Sequence, residues 1–165
     1  VPSDKTSSNG IKGSFRVSSS HAQDIAAAIS YLKENYHVPV WIVGTSRGSI
    51  SAANAAARID NGGADGLILT SSVTRQNKKG SNLFDVNLQK ITLPTLVIHH
   101  KNDECKNCPY TSVGRIMHNL KNSSRLEHIA FDGGEYPLSG PCNAKSYHGY
   151  LGIEEKVISA IADWL

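Results

Sequence analysis

The stretch that most constrains this chain is VPVWIVGTSRGSISAANAAARI, Val38 to Ile59. An apolar run climbs into Gly44-Thr45-Ser46-Arg47-Gly48, and a helix-forming run rich in small residues leaves it. A strand that turns sharply into a helix pushes the turn residue outward, past the end of the sheet. Here that residue is Ser46. The spacing predicts that Gly44 and Gly48 are both required, because strand and helix backbones come too close for a Cβ. The plainer alternative is a βα turn whose serine only caps the helix.

Other segments read as a continuation of this pattern. Ser20-His21-Ala22-Gln23 has capping-box spacing, with Ile25, Ile29 and Leu32 on one face, so a helix runs from Ser20 and stops before Pro39. Val38 to Val43 is a buried strand, and Gly48 to about Asp60 a helix that Asn61-Gly62-Gly63 breaks. Gly66–Thr70, Pro94–Ile98 and Leu126–Phe131 are further strands. Val113, Ile116, Met117 and Leu120 mark an amphipathic helix, and Ile153, Val157 and Ile161 the last one. Val1 to Ser19 reads as irregular, and Arg75 to Lys90 as a polar connection anchored by Leu83, Phe84, Val86 and Leu88. Such alternation predicts one α/β domain over 1–165: three layers, α/β/α, around a mostly parallel sheet. Reactive groups in such sheets gather beyond the carboxyl ends of the strands.

Bulk properties narrow the function classes. A chain of 165 residues, 39% hydrophobic, buries an ordinary core. No apolar run approaches the ~20 residues of a membrane span. The net charge of +3 is mild, and the most basic patch, Lys78-Lys79, lacks interleaved aromatics. Neither a membrane span nor a nucleic-acid partner is expected.

A serine hydroxyl is a weak nucleophile until a base takes its proton, and the base needs a third group to orient it. Asp103 follows the third strand in LVIHHKNDEC, and His148 lies in the loop before the last helix. The order serine, acid, histidine is the one expected when the serine sits on such an elbow. Among the seven histidines, His21, His37 and His118 fall on or at the ends of helices, and His128 lies inside a strand. His99 and His100 precede the acid, the wrong order for the base; one of them lines the cleft or packs beneath it. Asp132 is the main rival for the acid, and Glu104 a weaker one.

The elbow Gly44–Gly48, the acid loop His99–Cys105 (HHKNDEC) and Tyr147-His148-Gly149 together resemble the α/β-hydrolase fold family, in particular small bacterial serine hydrolases with a GTSRG elbow. The resemblance runs from Ser20 onward. It implies Ser46 as nucleophile, His148 as general base, Asp103 as its orienting carboxylate and the Arg47 backbone N–H as one oxyanion donor. A small ester or related acyl substrate is implied, with no cofactor. About twenty residues between Ser71 and Leu93 are too few for a lid domain, which favours small or exposed acyl groups.

That family's sheet begins with several strands ahead of the first helix read here, and one of their loops carries the second oxyanion donor. Val38 to Val43 is therefore expected to have an unpaired edge. An upstream segment of very roughly 60–100 residues, a second subunit in a homodimer, or residues Val1 to Arg16 would each cover it. The first is favoured, with Val1-Pro2-Ser3-Asp4 as the tail of the preceding strand.

The resemblance also places a cysteine at 105. If the triad assembles, the acid and histidine loops meet, so a Cys105–Cys142 disulfide is expected, with Cys108–Cys142 left open. Closing that loop would stabilise by about 3–4 kcal/mol in the chain-entropy model. A disulfide favours export, to a periplasm or the exterior; without one the chain is expected in the cytoplasm. Two rival readings remain. His99, His100, Cys105 and Cys108 have the density of a zinc or redox site, although adjacent strand histidines point to opposite faces and no metal is expected. A non-catalytic module of the same fold is the other.

Overall fold

Four strands, β1 (Trp41–Thr45), β2 (Gly66–Thr70), β3 (Thr95–His100) and β4 (Leu126–Phe131), pair in parallel and in chain order. The structure is a computed structural model that describes residues 11–59, 63–76 and 80–165. Five helices accompany the strands among these residues: α1 (Gly13–Arg16), α2 (Ser19–Tyr36), α3 (Arg47–Ala56), α4 (Val113–Asn119) and α5 (Glu154–Trp164).

Strands β2 and β3 are buried along their whole length, as continuous apolar runs in a doubly covered parallel sheet should be. Pleating separates their side chains. Leu67, Leu69 and Val97 join α3 and α4 in one cluster, while Ile68, Leu96 and Ile98 meet Ile153, Val157 and Trp164 on the α5 side. Trp41 packs edge-on against Trp164 at 5.3 Å between ring centroids, and the Arg125 guanidinium lies over the Trp164 ring at 4.4 Å. The predicted three-layer α/β architecture holds, with an all-parallel sheet.

Several expected boundaries shift, each for a local reason. The first strand begins at Trp41, not Val38, and runs on to Thr45. Asp65 captures the preceding residue: the Val40 N–H donates to Asp65 Oδ2 at 2.7 Å, and the Asp65 N–H donates to the Val40 carbonyl at 2.8 Å. Helix α2 is capped by Ser18, whose hydroxyl accepts from the His21 N–H, so it starts ahead of Ser20. It stops at Tyr36, with His37 in the left-handed region at φ 53° before Pro39. Arg16 Nη1 donates to Ser51 Oγ at 2.8 Å, fixing a one-turn helix where irregular chain was expected. Helix α3 ends at Ala56, short of Asp60.

Residues 71–93 contribute to the core. Val73, Leu83, Val86, Leu88 and Ile91 are buried there, two of them in the 3₁₀ turns Leu83–Asp85 and Leu88–Lys90. Lys78-Lys79, Asn61-Gly62 and Val1-Pro2-Ser3-Asp4 lie outside the described residues. Strand β1 is hydrogen-bonded to β2, and no described strand pairs with its other side. Residues 11–16 do not cover that edge; they lie over α3, with Arg47 Nη2 donating to the Ile11 carbonyl. An apolar groove of about 220 Å³ follows the edge, lined by Val43, Val157, Ile158 and Ile161.

The β1–α3 junction obeys only half of the expected glycine rule. A Cβ on Gly44 would stand 2.6 Å from Ala52 Cβ and 2.8 Å from Ser49 Cα, so strand and helix touch there. A Cβ on Gly48 would meet nothing within 4 Å among the described residues. Gly44→Ala should therefore cost about 1–3 kcal/mol through overpacking. Gly48→Ala should stabilise by about 0.5–1 kcal/mol, because alanine loses less backbone entropy in a helix. Urea denaturation of the two variants checks this, and equal effects would contradict it.

Candidate active site

Ser46 occupies the turn between β1 and α3 at φ 52°, ψ −120°, a conformation that costs a non-glycine residue about 1–3 kcal/mol. Neighbouring bonds hold it there. The Ser46 N–H donates to the Thr70 carbonyl at 3.0 Å, while its own carbonyl accepts from the Ser49 N–H and, at 2.6 Å, from Ser49 Oγ. Arg47 is the first residue of α3, so its backbone N–H has no acceptor within the helix.

Asp103 follows β3 and has no exposed side-chain surface. Its Oδ1 accepts the Cys105 N–H at 2.9 Å, and its Oδ2 lies 2.8 Å from His148 Nδ1. His99 Nε2 approaches the same Oδ2 at 3.4 Å. Burial is the largest influence on this carboxyl and pushes its pKa up. The hydrogen bonds from His148, His99 and the Cys105 N–H outweigh it and hold the group below its usual value. An ionised carboxylate only accepts, so the His148 Nδ1–H donates to it, and Nε2 is the ring nitrogen on the far side from Asp103. That Nε2 is buried and has no hydrogen-bond partner among the described residues, Ser46 included.

A set of buried polar groups fixes the histidine loop. The Ser146 hydroxyl accepts the His148 N–H at 3.2 Å. Ser71 Oγ donates to the His148 carbonyl at 2.8 Å and lies 3.0 Å from Tyr150 Oη, which donates to the Ile98 carbonyl at 3.1 Å. Ser71 and Tyr150 thereby tie the loop to the carboxyl ends of β2 and β3. Neither was foreseen, nor was the contact of His99 with the acid. Polar residues at φ 43° (Ser71) and φ 61° (Tyr150) are not readable from sequence spacing.

The rival residues go elsewhere. Asp132 is exposed and pairs with Lys101 Nζ, and Glu104 is exposed. His100 is satisfied on both ring nitrogens: Nδ1 accepts the Asn102 N–H, and Nε2 donates to the Gly133 carbonyl. His99 and His100 point to opposite sides, His99 Nε2 donating to the Cys108 carbonyl at 2.8 Å. The cluster of His99, His100, Cys105 and Cys108 read from the sequence is therefore not assembled.

Cys105 and Cys142 form a disulfide that joins the acid loop to the histidine loop. Cys108 stays free and buried. Burial, with a smaller push from Asp103, raises its thiol to about 12, against the opposing influence of the Ser46 hydroxyl beside it.

No protein-family model and no curated protein matches this sequence. Solved structures do match in fold. An α/β serine hydrolase homologue from Coxiella burnetii aligns over 88% of this chain and 57% of its own, at TM-score 0.54 and 17% identity. An esterase from Pyrococcus furiosus aligns over 90% and 62%, at 0.64 and 14%. The acylaminoacyl peptidase of Pyrococcus horikoshii aligns over 86% of this chain and 27% of its own, at 0.55 and 17%. The chain has a partial α/β-hydrolase-like fold and spans less than two thirds of each of these proteins.

Two measurements follow from this geometry. The folded Asp103 carboxyl titrates below its unfolded value of ~3.9. Its contribution to stability is thus fully present above that value and is lost as pH falls through the folded one. The thermal midpoint should drop on acidification below pH ~4, and Asp103→Asn should flatten part of that acid limb; an unchanged limb contradicts the assignment. Titration of the denatured, unreduced chain with a thiol reagent should find one free cysteine, and three would remove the disulfide.

Proposed function

We propose that this protein is a serine hydrolase that cleaves a small ester or related acyl bond through an acyl-enzyme formed on Ser46. The observation that carries the reading is the buried Asp103–His148 pair. In it the Asp103 carboxylate holds the Nδ1–H of an imidazole whose Nε2 has no partner among the described residues, and a ring nitrogen of that imidazole lies within 4.8 Å of the Cys108 sulfur, which the Ser46 hydroxyl also borders. Likeness in fold to an esterase and a peptidase agrees with this chemistry.

In this mechanism Ser46 Oγ approaches His148 Nε2, a contact that in hydrolytic sites often tightens only when substrate binds. Oγ attacks the acyl carbon while Nε2 takes its proton. The carbonyl oxygen becomes an oxyanion facing the Arg47 N–H at the start of α3. Nε2 then hands the proton to the departing alcohol, and a water repeats the sequence to release the acid. Asp103 stays ionised throughout and stabilises the imidazolium by charge and orientation.

A fluorophosphonate probe should label wild type at Ser46, and Ser46→Ala should lose both labelling and turnover of short esters. Asp103→Asn should lower the rate by about 10⁴, whereas Asp132→Asn should leave it near wild type. Undiminished esterase activity in the Ser46→Ala variant would sink the reading. Wild type that takes up no probe would turn the assignment towards a non-catalytic module.

A further inference from the structure

Three metal-ligating side chains converge where the hydrolytic reading uses only one. The sulfurs of Cys105 and Cys108 and a ring nitrogen of His148 all lie within 4.8 Å of one another, and the three residues are 3%, 1% and 4% exposed. Cys142 Sγ is bonded to Cys105 Sγ, so a fourth candidate ligand is already at the cluster. The imidazole is oriented as a metal-binding histidine is: a carboxylate holds its Nδ1–H, and Nε2 is buried with no partner among the described residues. In the oxidised chain the disulfide withholds two of the four ligands.

We infer that the reduced chain binds one zinc ion, or another thiophilic divalent cation, through Cys105, Cys108, Cys142 and Nε2 of His148. Three thiolates and one imidazole form one of the standard closed zinc sites. Tetrahedral bonds of about 2.3 Å to sulfur and 2.0–2.1 Å to nitrogen put neighbouring ligand atoms roughly 3.5–3.8 Å apart. A cluster spanning up to 4.8 Å therefore needs a contraction of about one ångström, and the two sulfurs of the opened disulfide must part. Cys142 is exposed, which gives a reductant access to the bridge and lets its loop move.

The steps balance with a dithiol as the reductant. One dithiol transfers two electrons and two protons to the Cys105–Cys142 bond, giving two thiols, and leaves as its own disulfide. The cation then displaces one proton from each thiol it binds, Cys108 included, while the neutral imidazole contributes its lone pair without releasing one. Ligation consumes the lone pair that would otherwise receive the Ser46 proton, so the metal-bound chain cannot use His148 as a base. That last consequence rests on the hydrolytic reading; the binding site does not.

The test uses the full chain, oxidised or reduced with a dithiol that is then removed without air, and titrates each form with zinc and with cobalt(II). Reduced protein should bind one equivalent, with sulfur-to-cobalt charge-transfer absorption in the near ultraviolet, and oxidised protein should bind at least tenfold more weakly. Cys108→Ser and His148→Gln should each weaken binding by the reduced chain at least tenfold. Cys142→Ser, at an exposed position, removes the bridge and one ligand, so it should bind zinc without a reductant but more weakly than the reduced wild type. Equal binding by both redox forms, full affinity in Cys108→Ser, or loss of near-ultraviolet circular dichroism on reduction before metal is added would each overturn the site. Zinc bound by a chain that never takes up a fluorophosphonate would leave this inference standing and remove the hydrolase. Probe uptake without zinc binding would do the reverse.

Discussion

A carboxylate with no exposed surface sets the terms for the rest of this site. Asp103 stays charged in a buried place because the His148 Nδ1–H and the Cys105 N–H donate to it and the His99 ring, whose Nε2–H donates to the Cys108 carbonyl, lies 3.4 Å from the same oxygen. Each donor comes from a different piece of chain, so satisfying one charge brings the end of β3, the cysteine loop and the histidine loop into register. Removing one partner of such a group leaves an uncompensated charge, which is why its neighbours act as a unit.

Strain at Ser46 is tolerated for a comparable reason. Contact between β1 and α3 at Gly44 leaves the chain one route out of the strand, and hydrogen bonds to Thr70 and Ser49 hold the turn residue in place. The same strand ends carry Ser71 and the Ile98 carbonyl, which hold the histidine loop through Tyr150. Parallel strands in chain order thus deliver Ser46, Asp103 and the anchors of the His148 loop to one rim of the sheet.

Much of this was legible in the sequence because it is written in strong local signals. Three apolar runs located β2, β3 and β4 within a residue or two at each end, and the elbow, Asp103 and His148 stood out by type and order. What escaped was decided by contacts between distant residues. Val40 left the first strand because Asp65 binds it, and Ser18 capped α2 two residues ahead of the expected position. Gly48 looked as constrained as Gly44, yet only coordinates distinguish a glycine under a helix from one facing open space. The roles of His99, Ser71 and Tyr150 depend on where three loops meet, which no spacing rule encodes.

The tryptophan pair has a bearing on how this protein can be watched. Both of the chain's tryptophans sit in one edge-on contact, Trp41 at the amino end of β1 and Trp164 at the end of α5. Ser46 lies past the opposite end of that strand. Selectively excited tryptophan emission therefore reports whether the C-terminal helix is seated on the sheet, far from events at the rim. A transition followed by tryptophan emission and one followed by the unmasking of the buried Cys108 thiol would see two different ends of the same molecule.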